Sequence, residues 1–548
     1  MILNKKDILI ITFITILYFS AASWNLGLTK TPTTYWSTNG KEEVSIIFDS
    51  NENVGNIYLL ISSDHKIKAD ISINSTDNFL KQTSLDMEDY YKWFQAELNK
   101  KTNVIKINIL SGYGDIYEVV VIDDSNKMIN IKEIVVTNGD GSNIENLKDE
   151  QQYFENPPTF KSETYFDEIY FVKTAQEYLH LKEPTEWTHP PLGKLIIALG
   201  IWIFSFNPFG WRILGVVFST LMIPVLYYLG LIIFKNRLAA FLSAILLFSD
   251  FMHFTMGRIA TIDTYLVFFN LLSIIFFYMN FSQKSTKSDF NYKYIFFGVL
   301  FFYLAFSVKW TAIFNLIAQI ILMILIDSEV SINYFRDILP KFICSLKNIS
   351  KVILIIFLES VFYLSSFIPY MLIGHDLKDV FLTNWSMFSY HVGLSATHPY
   401  SSPWYSWPLM LKPVWLYFRE LPGGMVSTIS AMGNPLIWWI GLPLILAAIW
   451  RGLKKGEKPF LFIGILYVFQ LIPFAFISRP LFLYHYYINV PIMILGIAGF
   501  LSESWLNMKN RKLIILYLIS TIIVFYFFYP IISGSSISIE YERILKFF

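Results

Sequence analysis

Apolar residues gather along this chain in runs long enough to cross a bilayer. A run of about 20 apolar residues forms a spanning helix, because a helix satisfies its own backbone N–H and C=O groups where no water can. Such runs occupy 7–26, 211–234, 238–254, 262–281, 293–307, 311–326, 352–373, 435–450, 459–477, 481–501 and 512–532, which predicts a polytopic α-helical membrane protein of about 11 transmembrane helices. The first run is long and lacks a small-residue cleavage site after it, so it reads as a retained anchor. Between the first two runs the period changes. Alternating stretches at 43–48, 56–61, 104–109 and 116–122 are separated by Asp, Asn, Gly and Ser turns, the pattern of an inserted β-sandwich. The polar stretch 146–158 ends in Pro157-Pro158 and reads as a linker.

Basic residues give the orientation. Lys5 and Lys6; Lys235 and Arg237; Lys284 and Lys287; Arg336, Lys341, Lys347 and Lys351; Arg451, Lys454, Lys455 and Lys458; and Lys509, Arg511 and Lys512 fall in alternate connections. Those connections are cytoplasmic by the positive-inside rule, which puts the N-terminus inside and the C-terminus outside. The apolar segment 191–207 would invert every later loop if it crossed. It opens on Pro191 and carries Lys194, so it reads as a helix lying on the outer membrane surface. The expected division is an anchor helix at 1–28, a jelly-roll-like extracytoplasmic β-sandwich at 29–145, a linker and first outer loop with membrane-surface helices at 146–209, a transmembrane core at 210–373, an outer loop at 374–433 and a four-helix transmembrane region at 434–548.

Only 16% of residues are charged and 54% are hydrophobic, which excludes a simple soluble enzyme. Lys plus Arg number 43 against 42 Asp plus Glu, so no basic field steers nucleic acid. The single cysteine, Cys344, excludes an internal disulfide framework. Where the few outer-side charges fall carries more. Asp167 and Glu168 form an acidic pair beside aromatics, able to serve as a general base with an orienting or metal-binding partner; a turn capping the following helix is the plainer reading. Arg212, Arg258 and Asp263 lie at outer membrane boundaries, where charges also snorkel into headgroups. Later outer loops add Lys309-Trp310, the stretch 398–408 and the stretch 479–487. One outer cavity could thus offer carboxylates for proton transfer, cations for phosphate and aromatic faces for sugar.

Asp167-Glu168, His189-Pro-Pro-Leu-Gly-Lys194, Arg212, Arg258 with Asp263, Lys309-Trp310, the His398 to Pro408 stretch, Gly433-Asn-Pro435 with Trp438-Trp439, and Leu483-Tyr-His-Tyr486 resemble, in order, the motifs of protein O-mannosyltransferases (glycosyltransferase family 39), from about Tyr165 to the C-terminus. The resemblance implies the C-type glycosyltransferase fold and transfer of mannose, with inversion, from a polyprenyl (dolichyl-type) phosphate donor to Ser or Thr hydroxyls of an exported polypeptide. It implies Asp167 as the general base, with Glu168 orienting the acceptor. A departing lipid phosphate needs cationic stabilisation more than an acid, and the resemblance offers Arg212 and Arg258, with Tyr484 and His485 also on the donor phosphate. His189, Lys194, Asp263, Lys309, Trp310, His398, Trp404, Trp407 and Tyr486 follow as further substrate-binding positions. No cofactor is certain; a divalent metal, Mg or Mn, stays open, and a metal-free site is preferred. The expected setting is a plasma membrane, with the lipid bilayer as solvent, the active site and β-domain outside, and a dimer open.

Two departures stand out. The outer loop 374–433 is too short for the β-trefoil repeats of eukaryotic members, and the β-rich insert stands where the family has a short connection. The insert is expected to be separable from the chemistry. Its Tyr35-Trp36 and Tyr90-Tyr-Lys-Trp93 aromatics could stack on sugar or simply fill a core. Two other readings remain: a related transferase that modifies lipid or wall glycan, and a lipid-linked sugar transporter, for which Glu359 inside a span is the one suggestive residue.

Overall fold

The computed structural model of the chain describes residues 3–75, 78–282, 291–327 and 346–545. Lys284, Lys287, Arg336, Lys341 and Cys344 lie outside the described residues. The chain divides into two compact units, one of residues 1–24, 174–199 and 212–548, the other of residues 25–173 and 200–211.

The second unit holds the alternating stretches. Its strands are β1 (Trp36–Thr38), β2 (Glu43–Ser75), β3 (Asn78–Ser111), β4 (Gly114–Asp123) and β5 (Glu133–Asn138). The two long strands bend between layers. Residues 43–47 of β2 pair with β5 on one side and with 104–108 of β3 on the other, while 67–75 pair with 78–87 and also meet 105–111. The middle of β2 instead pairs with β4 and with 89–97 of β3, and β4 carries β1. Register shifts at 47/52 and 63/67 mark where β2 turns from one layer to the other, as bulges allow. Val44, Ile46, Ile57, Leu59, Ile61, Ile107, Val119 and Val121 fill the space between the layers.

The stretch read as a linker is part of this unit. Leu147 lies in the core, Gln151 Nε2 donates to the Val119 carbonyl at 2.7 Å, and the Phe154 ring lies 5.0 Å from both Tyr58 and Trp93. Its polar side chains cap strand backbone, which composition alone cannot separate from solvation. Of the aromatic pairs, Trp36, Tyr91 and Trp93 are buried and Tyr35 is exposed; the buried three are core residues.

In the first unit, among the described residues, seven helices are long and apolar enough to span a membrane, and Arg237–Phe248 with Phe251–Arg258 adds an eighth path bent by 57°. The shorter apolar helices Tyr292–Phe306, Ala312–Leu322 and Ile353–Ser365 fall on the remaining predicted runs. Leu192–Phe204, the expected surface helix, has 13 residues, a length of about 20 Å against a hydrocarbon core of about 30 Å.

The bend has a visible cause. The Asp250 side chain accepts from the His253 N–H at 3.0 Å, capping the second half, and from Trp438 Nε1 at 2.8 Å. Asn434 Nδ2 donates to the carbonyls of Ser249 and Thr521, while its Oδ1 caps the helix Pro435–Lys455 by accepting from Leu436 N–H. Gly433 lies so close to the Trp438 ring that a Cβ there would fall 2.0 Å from it. The Gly-Asn-Pro stretch therefore locks the bent pair to the C-terminal helices.

The loop 374–433 contains the helix Leu377–Gly393 and a hairpin of β6 (Val414–Leu421) and β7 (Met425–Ala431), extended by β8 (Ile537–Ser538) near the C-terminus.

Candidate active site

Asp167 and Glu168 belong to the second unit. The helix Glu168–Leu179 begins at the pair, and the Asp167 carbonyl accepts from the Tyr170 and Phe171 N–H groups. Glu168 is fully buried and Asp167 half-buried. Phe166 has φ +51°, a left-handed conformation that a bulky residue adopts only when its surroundings impose it. Those surroundings are the β-domain: Thr164 N–H donates to the Tyr91 carbonyl at 3.1 Å, Thr164 Oγ1 to the Tyr90 carbonyl, and the buried Glu163 carboxylate accepts from Trp93 N–H at 3.1 Å.

In the first unit a cavity of about 360 Å³ is lined by His189, Lys309, Trp310, His391 and Arg479, with Thr188, Phe314 and Phe388 among its walls. A constriction sharing Lys309 and Thr311 is lined by Asp263, Tyr484, His485 and Tyr487. Lys309 Nζ donates to Asp263 Oδ1 at 2.8 Å. His391 donates from Nε2 to the Thr188 carbonyl at 2.8 Å and accepts at Nδ1 from Arg479 Nη1 at 3.0 Å. Those bonds require the neutral ring, and burial together with the Arg479 charge pushes the imidazole down to about 4.

Beneath the cavity wall lies a buried ionic cluster. Lys194 Nζ uses its three donors on Glu186 Oε2 at 2.6 Å, the Glu186 carbonyl at 2.6 Å and the His189 carbonyl at 2.7 Å. Glu186 Oε1 accepts from His189 Nδ1 at 2.9 Å and from the Thr188 hydroxyl. Burial raises the Glu186 carboxyl, but Lys194 and His189 outweigh it and hold the group well below the usual range. His189 is pushed down by burial against the pull of Glu186. The carboxylate fixes the imidazole tautomer and thus the ring's orientation at the cavity.

The structure brings His189, Lys309, Trp310, Asp263, Tyr484 and His485 to one region, with Lys194 behind it and Trp407 stacked on His485 at 6.0 Å. It does not bring Tyr486, which is fully buried with its hydroxyl 2.7 Å from that of Tyr467. Arg258 is likewise placed elsewhere: its guanidinium donates to the Ala22, Trp24 and Ser533 carbonyls and packs on Phe254, a clamp on helix ends rather than a cavity cation. Arg212 is fully buried near the start of the helix Pro208–Phe234, and His398 and Trp404 do not line the cavity. Sequence reasoning left Glu186, His391 and Arg479 unassigned. Glu186 had a signal, because a lysine inside an apolar segment needs a counterion and Glu186 is the nearest acid to Lys194.

Among the described residues no group of three or more His, Cys, Asp or Glu is placed to hold a metal ion. Of the donors considered for a metal, Asp263 is paired with Lys309 and His189 Nδ1 with Glu186.

The family model described as dolichyl-phosphate-mannose-protein mannosyltransferase matches residues 159–373, and that for the C-terminal four-transmembrane region of protein O-mannosyltransferase matches 376–548. A polyprenol-phosphate-mannose–protein mannosyltransferase of Mycolicibacterium smegmatis is 23% identical over 450 residues, 70% of this chain and 86% of the relative. One from Corynebacterium glutamicum is 23% identical over 421 residues, 66% and 80% of the two chains. In fold, the chain is similar to the solved S. cerevisiae protein O-mannosyltransferase Pmt1-Pmt2 complex bound to the sugar donor, with a TM-score of 0.56 at 12% identity over 67% of this chain and 86% of that one.

Proposed function

Since the chain belongs to the protein O-mannosyltransferase family, we propose a division of labour among its residues for the transfer of mannose from a polyprenyl-phosphate carrier to polypeptide hydroxyls. The protein is a multi-pass membrane glycosyltransferase, and the observation that carries this reading is the pair of family matches running almost without interruption from 159 to 548.

A Ser or Thr hydroxyl is a weak nucleophile and must lose its proton as the new bond forms. Asp167 takes that proton, held by the imposed turn at Phe166, and Glu168 orients the acceptor. Attack displaces the lipid phosphate and inverts the anomeric carbon. The leaving phosphate gathers negative charge, and Arg479 and Lys309 are the cations that line the cavity; fixed positive groups of this kind favour the transition state because they need no reorganisation. His391 holds Arg479, and Glu186 with Lys194 holds His189. The donor side therefore rests on Arg479 and Lys309 rather than Arg258.

The acceptor is an exported Ser- or Thr-containing polypeptide, the membrane a plasma membrane with the N-terminus in the cytoplasm, and a dimer a matter for light scattering on the purified protein. Purified protein given polyprenyl-phosphate mannose and a Ser/Thr-rich peptide should yield mannosylated peptide by mass spectrometry. Asp167→Asn should lower turnover by about 100- to 10,000-fold with expression unchanged. Full activity in that variant removes Asp167 as the base, and transfer to lipid alone removes the protein acceptor.

A further inference from the structure

In the loop 374–433, the helix Leu377–Gly393 has three faces. Asp376 starts it, its side chain accepting from the Asp379 N–H at 2.9 Å. One face is packed: Val380 and Met387 join Phe367 in a buried cluster, the Tyr363 hydroxyl donates to Asn384, and His391 bonds to the Thr188 carbonyl and to Arg479 at the cavity. On the second face Leu377, Phe381, Trp385, Phe388 and Val392 are 49–66% exposed. At helical spacing these five fall within an arc of about 80°. Lys378, Ser386 and Ser389 hold the exposed polar arc beyond them.

We infer that this apolar stripe is seated in the membrane surface, against bilayer lipid, and that the seat holds His391, and through it Arg479, at the cavity; the link to Arg479 rests on the role proposed for that residue above. Both ends of the helix are tied to headgroup depth. The predicted span 352–373 exposes Ile353, Phe357 and Val361 as a lipid-facing helix does, and the exposed Ile368 and Leu372 carry that apolar surface onward. From Ile373 to Leu377 the chain can reach at most about 14 Å. At the other end Phe388, His391 and Val392 line the cavity beside Phe476, which is 85% exposed. A cavity that receives a phosphate on a membrane-anchored carrier must stand at that same depth. The helix has 17 residues and so a length of about 25 Å; with both ends at the boundary it lies along it, one apolar face down, as interfacial helices do. Trp and Phe suit that position. An acceptor polypeptide visits for one turnover, whereas the stripe follows directly on the lipid-facing residues of the span.

The test uses the full chain in nanodiscs of palmitoyl-oleoyl phosphatidylcholine. With Cys344→Ser removing the single cysteine, nitroxide labels are attached in turn at Phe381→Cys, Trp385→Cys and Ser386→Cys. Power-saturation EPR should show the first two labels colliding more with oxygen than with a water-soluble nickel chelate, and the third the reverse. Dominance of the nickel chelate at the first two overturns the proposal, and shielding of those labels by an added Ser/Thr-rich peptide would make the stripe a polypeptide site instead. For the link to the cavity, Phe381→Asp with Trp385→Asp should lower transfer in the nanodiscs by about 10- to 100-fold, as should His391→Ala. All three changes together should lose no more than His391→Ala alone. Phe381→Leu with Trp385→Leu should keep the wild-type rate, and so should Ser386→Asp. Losses that multiply in the combined variant overturn the link. Failure of the function reading looks different: no protein, wild type included, mannosylates peptide, while the EPR depths still report the seat.

Discussion

Lys194 shows how a single residue in an apolar stretch can dictate its surroundings. With all three ammonium donors bonded to Glu186 and His189, Glu186→Gln should strip the buried cation of its charge partner and destabilise the protein by about 3–5 kcal/mol, read as a lowered melting temperature. The double change Glu186→Gln with Lys194→Met should recover most of that loss, since an apolar replacement of a buried pair is often neutral. In the second unit, Glu118 is fully buried, and burial, then the Asp149 and Glu150 charges, push its carboxyl up to about 9. Between its ordinary value near 4.5 and about 9 the folded chain holds a proton that the unfolded chain has lost. Its contribution to stability is therefore complete below about 4.5 and disappears as pH rises through 9. Glu118→Gln should flatten that fall, giving a melting temperature above wild type by several degrees at pH 8 and matching it at pH 4.5. Legibility at this scale followed charge and motif. Lys309, Asp263 and His189 could be picked out by type, whereas Arg258 and Arg479 are the same residue type at the same kind of boundary. Only the carbonyls around the first and the cavity beside the second separate them.

At the level of elements, periodicity did most of the work. Alternation at 43–48 and 56–61 matched strands whose inward residues fill the sandwich core, and the segment 191–207, expected to lie along the membrane surface, holds a helix of 13 residues. The segment 146–158 resisted because its polar groups serve strand backbone instead of water. The Gly433-Asn434-Pro435 stretch was legible as a motif but not as a device. Its function in the fold is to hold the bent pair, since Asn434 answers the Ser249 carbonyl at the end of the first half and reaches across to the Thr521 carbonyl of the last long helix. Asn434→Ala should therefore cost about 1–3 kcal/mol through the stranded Ser249 carbonyl and a lost cap, measured as a drop in melting temperature of the detergent-purified protein.

For the whole molecule, a composition of few charges hid how they are divided, and a division by sequence pattern placed the insert apart from the catalytic core. The compact units fall otherwise: residues 25–173 form one body that includes both the sandwich and the acidic pair. Deleting 34–134 removes β3, on which Thr164 and Glu163 are bonded just ahead of Asp167. The expectation of a separable insert gives way, and the deletion should lower turnover on even a short peptide by about 100-fold or more, the order of loss that follows a misplaced catalytic group. Wild-type rates from the deleted chain would restore the insert to a spacer.

The turn at Phe166 also bears on how the enzyme comes into being. A left-handed aromatic residue has little local reason to exist, and the residues just ahead of it, Glu163 and Thr164, are bonded to β3. The conformation at the acidic pair is thus a product of the β-domain's own folding rather than of the helix that follows it.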